Sequence, residues 1–126
     1  MLTLSVNAKE FQGMIGYIRS IREIHAGVPL AYQTVSGLVL IQYLERWRPH
    51  QVFAWSQRRP DKDYRLNLPL PVAKALHLEM QHSFLIGWQQ MFLNKLDIAV
   101  INHRNAYADV QVIGALIPSL RTNIEP

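Results

Sequence analysis

Cysteine is absent from this chain. Its absence excludes disulfide staples, thiolate nucleophiles and every zinc or iron–sulfur site built on sulfur ligands. Charge is sparse: Asp, Glu, Lys and Arg make up 17% of the residues, against 49% for the hydrophobic set. Such a chain folds around a core instead of staying disordered. Its lean surface charge also fits self-association that covers part of the surface. Long hydrophobic runs are missing. The longest, Phe84 to Leu93, is interrupted by Gln89 and Gln90 and falls short of the ~20 residues a membrane span needs. Met1-Leu2-Thr3-Leu4-Ser5 lacks the basic and apolar regions of a secretory signal. These absences set the expectation of a cytoplasmic protein with no membrane partner. There is no Gly-x-Ser-x-Gly elbow and no Gly-rich phosphate loop, so the expectation is a non-enzymatic protein without a cofactor.

What is present suffices for one core. The 126 residues make one domain's worth of chain, expected over 1–118 with a C-terminal tail at 119–126. The fold class expected is mainly α, a bundle of about four helices with a short β-hairpin. Leu2-Thr3-Leu4-Ser5-Val6 alternates as a strand does. Asn7 and Glu10 stand in capping-box spacing and open a first helix, which Gly27 stops before Pro29. A second helix is expected over 33–48, with Pro49 as its stop, although its apolar run Gly37 to Leu44 also suits a buried strand. Val52-Phe53-Ala54-Trp55 has strand composition. With Tyr64-Arg65-Leu66-Asn67-Leu68 it predicts the hairpin at about 51–68, and Leu2–Val6 is the candidate third strand. From Pro71 to His103 no proline intervenes, and apolar residues recur on most faces. This predicts one long central helix, about 71–103. Arg104-Asn105 suggests a break before a last helix that Pro118 ends. Leu66–Leu70 faintly echoes Leu2–Val6, since each alternates ahead of a helix.

The basic–aromatic stretch is the leading candidate site. Arg46, Arg48, Arg58, Arg59, Lys62 and Arg65 lie close together in the sequence, interleaved with Trp47, Trp55 and Tyr64. Cations suit a phosphate backbone and aromatic faces suit stacked bases. Asp61 and Asp63 within the patch oppose that reading. Gly13, Gly16 and Ser20 share one face of the first helix. Small residues there mark a close backbone approach, either inside the fold or between copies of the chain. No metal site is expected. Glu79 and His82 have Glu-x-x-His spacing, but no second copy exists, and His77 and His82 diverge by about 140° around a helix. Asp97, amid apolar neighbours, is expected to find its partner in His103 or Asn94.

The net charge of +4 and pI near 9.7 permit an anionic partner. The sequence therefore points to a small basic binding or accessory protein, self-associating, that contacts nucleic acid or an acidic protein surface through residues 46–65. The competing reading is a protein–protein adaptor, or a structural subunit of a homo-oligomer, with no nucleic-acid role.

Overall fold

The computed structural model describes residues 1–116, with side chains to His103. The chain is mainly helical with one small sheet. Strand β1 (Leu2–Val6) leads into helix α1 (Ala8–Ala26). A short 3-10 turn at Leu30–Tyr32 precedes α2 (Val35–Arg46) and α3 (Pro49–Ser56). Then come β2 (Tyr64–Leu68), α4 (Leu70–Gln81) and α5 (Trp88–Leu116). The expected tail and the Pro118 stop lie outside the described residues.

The start of α1 follows its sequence signals. Asn7 Oδ1 accepts from the Glu10 N–H at 2.8 Å, and Glu10 Oε1 accepts from the Asn7 N–H at 2.9 Å. Two otherwise unpartnered donors are thereby satisfied. Gly27 caps the far end. Between the caps, Phe11, Met14, Ile15, Ile18 and Ile21 are buried at helical spacing and form the middle of the core.

Three expectations need correction. The first is the hairpin. Residues 49–56 are helical, and β1 alone pairs with β2, antiparallel, with Leu2 opposite Leu68 and Leu4 opposite Leu66. Pro49 both ends one helix and starts the next. It forces Arg48 into extended backbone and sits at the first helical position itself, while Gln51 Oε1 accepts from the Arg48 N–H at 2.9 Å. Aromatic and β-branched composition misdirects here because strand propensity mostly reports burial against neighbours. Trp55 is buried and Val52 half-buried, three apart, while Phe53 and Ala54 are exposed. That is a helical pattern.

The second correction is the central helix, which is two helices. α4 ends at Gln81, Ser83 Oγ donates back to the Glu79 carbonyl at 2.7 Å, and Gly87 takes φ of +51° before α5 begins. A left-handed backbone of this kind favours glycine. The apolar positions that drifted around one long helix therefore belong to two faces. Val72, Leu76 and Met80 face the core from α4, and Phe92, Leu93 and Leu96 face it from α5. The third correction is Arg104-Asn105, which lies within α5.

The Gly13, Gly16 and Ser20 face divides. A Cβ on Gly13 would fall 2.9 Å from the Trp88 carbonyl carbon and 3.0 Å from the Gln89 nitrogen, so α1 meets the start of α5 backbone to backbone. Around Gly16 nothing lies within 4 Å, and Ser20 Oγ donates to the Tyr17 carbonyl of its own helix at 2.6 Å. Alanine at these two glycines should act with opposite sign. Gly13→Ala should cost about 1–3 kcal/mol through forced backbone separation. Gly16→Ala should stabilise by up to about 1 kcal/mol through helix propensity. Urea titration of both variants reads the difference.

Candidate functional site

The basic–aromatic residues of 46–65 do come together, but largely against the core and one another. Trp55, carried inward by α3, stacks on Phe11 of α1 with ring centres 4.4 Å apart and planes at 11°. Trp47, at the corner between α2 and α3, meets Phe11 edge-on at 5.0 Å and Tyr43 at 6.2 Å. Tyr64 sits edge-on to Trp55 at 6.3 Å. The Arg58 guanidinium lies over both rings, 4.0 Å from Trp55 and 4.7 Å from Tyr64, and the Lys62 ammonium lies 5.5 Å from Tyr64. A cation on each ring face occupies the surface a base would need. Arg59 is held in a two-pronged pair by Asp61, at 3.2 and 3.0 Å. Of the expected site, Arg46, Arg48 and Arg65 remain exposed and without an ion pair among the described residues.

A different grouping forms where α1 crosses the α2–α3 corner. A groove of about 540 Å³ opens there. Its floor is apolar, made by Ile15, Leu44, Val52 and Trp47. Phe53 stands in it 64% exposed. Arg19 and Arg22, one helical turn apart on α1, line the other side. Both are exposed, and neither forms an ion pair among the described residues. Sequence reading passed over these two arginines because they lie some thirty positions from the basic cluster. Their one-turn spacing, in line with Ile15 on α1, was the available signal. Only the packing of α3 on α1 gives it meaning.

The acid–base groups elsewhere tie elements together. Glu10 is buried, 1% exposed, and its Oε1 accepts from the Lys95 ammonium at 2.7 Å. Lys95 also reaches Asp63 at 3.1 Å, so one ammonium links α1, α5 and the loop before β2. Burial alone would lower the Lys95 pKa. The hydrogen bonds to Glu10 and Asp63, with their charges, outweigh it and hold the pKa above its ordinary 10.5. Burial pushes up Tyr17, whose hydroxyl pairs with Ser83 at 2.6 Å, and also Tyr43.

Asp97 finds neither His103 nor Asn94. It accepts from His77 Nε2 of α4 at 2.6 Å. His77 lines a second cleft, of about 480 Å³, with Lys74, His103, Leu2 and Val100, and among the described residues no hydroxyl or thiol nucleophile lines it. Glu79 pairs with Ser36 across α2 and α4. Among the described residues no three His, Asp or Glu side chains converge as metal ligands. None of their helices is long and apolar enough to cross a membrane. Set against family models, curated proteins and solved structures, the chain matches none.

Proposed function

We propose that this protein is a non-enzymatic binding module that docks an acidic, amphipathic segment of another protein in the groove between α1 and α3. One observation carries the reading: two arginines, a turn apart and without an ion pair among the described residues, border an apolar floor that displays Trp47 and Phe53. Side chains a turn apart sit roughly 5–6 Å from each other, which matches carboxylates one turn apart on a partner helix. Apolar anchors of that helix would lie on Trp47, Val52 and Phe53. Aromatic anchors ringed by charge dominate the energetics of such sites. A stacked nucleic-acid strand fits less well. Trp55 and Tyr64, the rings on which bases were expected to stack, are engaged by other side chains.

Selection from a library of random displayed peptides tests this. The expected result is enrichment of sequences that combine Asp or Glu with Leu, Phe or Trp. Their affinity should fall at least about tenfold in Arg19→Glu/Arg22→Glu, the loss of roughly 1.4 kcal/mol of binding. No enrichment, or affinity indifferent to the charge reversal, overturns the reading. Steeply salt-dependent binding of single-stranded DNA or RNA in its place would transfer the groove to nucleic acid.

A further inference from the structure

The second cleft, where β1, α4 and α5 meet, has a chemistry of its own. Leu2 lies at its base, buried and held in place by pairing with Leu68. Ala73 of α4, also buried, and Val100 of α5, half-buried, continue the apolar wall. The volume of about 480 Å³ falls in the range of small-molecule sites, which are concave, mostly apolar and carry a few placed polar groups.

The polar groups here are of one kind. Lys74, His77 and His103 line the cleft, and among the described residues no carboxylate does. Lys74 stands about one helical turn before His77, is exposed, and forms no ion pair among the described residues. His103, also exposed, stands about one turn after Val100. Asp97 of α5 is outside the lining, and His77 engages its carboxylate at 2.6 Å, which also ties α4 to α5. A cation beside an apolar wall, with no anion facing it, complements an organic anion. Lys74 borders another groove as well, shared with α2, but Glu79 lines that one. A carboxylate is repelled there by like charge and is received here.

We propose that the cleft between β1, α4 and α5 binds a small aliphatic carboxylate, its apolar body against Leu2, Ala73 and Val100 and its charged head on the side of Lys74 and His103. The proposal is independent of the groove on α1 and α3.

Octanoate, octan-1-ol and octylamine share an aliphatic body and differ in the head, so calorimetric titration of the full chain with all three reads the preference. Octanoate should bind at least about tenfold more tightly than the alcohol, and the amine should bind most weakly. Lys74→Glu, at an exposed position that leaves the core untouched, should weaken octanoate at least about tenfold. Arg19→Glu/Arg22→Glu should leave octanoate binding unchanged. In amide NMR spectra the shifts caused by octanoate should gather at Leu2, Ala73, Lys74 and Val100. No octanoate binding up to about 5 mM overturns the proposal. Equal affinity for the three heads, indifference to Lys74→Glu, or shifts that gather at the α1–α3 groove also overturn it. So does movement of the same amides when the ligand-free protein is concentrated, because a second copy of the chain then fills the cleft.

Discussion

Lys95→Met should destabilise the protein by about 3 kcal/mol, close to the low end for breaking a buried ion pair because the ammonium is partly solvated. The cost comes from what is left behind. Glu10, buried under α5, would keep the Asn7 N–H but lose the cation that compensates its charge. Small domains are stable by only about 5–15 kcal/mol, so the variant should melt many degrees lower. Adding Glu10→Gln should recover most of the loss, because a neutral amide still accepts from Asn7 and no longer strands a charge. Thermal melts of the single and double variants measure the coupling directly. The same ammonium sets the alkaline limit. Its folded pKa is raised, so its contribution is complete below its ordinary 10.5 and lost as pH climbs through the elevated value. Tyr17 and Tyr43 are raised from 10.0 and act with the same sign. Stability should therefore fall steeply above about pH 10, and Lys95→Met should flatten that fall.

Trp55→Ala should cost about 3–5 kcal/mol, the loss expected for a buried aromatic truncated to alanine. Trp55 is the floor on which Arg58 rests and the ring stacked on Phe11, so its removal loosens α3 from α1. Phe53→Ala, two residues earlier, should leave stability within about 0.5 kcal/mol. It should instead weaken binding of a selected acidic peptide about tenfold, a 1.4 kcal/mol change. Urea unfolding read beside peptide anisotropy separates the two residues. Destabilisation by Phe53→Ala with binding unchanged would reverse their roles.

Local chemistry made part of the fold readable. The Asn7–Glu10 box, the Gly27 stop and the alternating strands β1 and β2 declare themselves within a few residues, whereas the apolar run Gly37 to Leu44 of α2 suits helix and buried strand alike. α3 did not declare itself, because Val-Phe-Ala-Trp carries strand composition and only its packing on α1 decides its periodicity. The α4–α5 break hid for a related reason. Its marks are one glycine at positive φ and a serine bonding backward, and neither interrupts an apolar pattern. The candidate site suffered most. Charge clustering along the chain drew attention to Arg58 and Arg59, whose charges rest on rings or on Asp61. The groove depends on Arg19 and Arg22 meeting Phe53, a conjunction that exists only after folding.

The pairing of β1 with β2 also has a kinetic meaning. Leu2 faces Leu68, half a chain away, with three helices between them. Closing so long a loop loses chain entropy before any ladder bond forms, so such contacts slow folding relative to the local helices they enclose. On the ribosome β1 waits as an unpaired strand until β2 has emerged, and its alternate leucines and Val6 stay exposed meanwhile. The alternation of Thr3 and Ser5 with those apolar residues keeps the waiting strand half polar, which makes it a poorer template for aggregation than an unbroken apolar run would be.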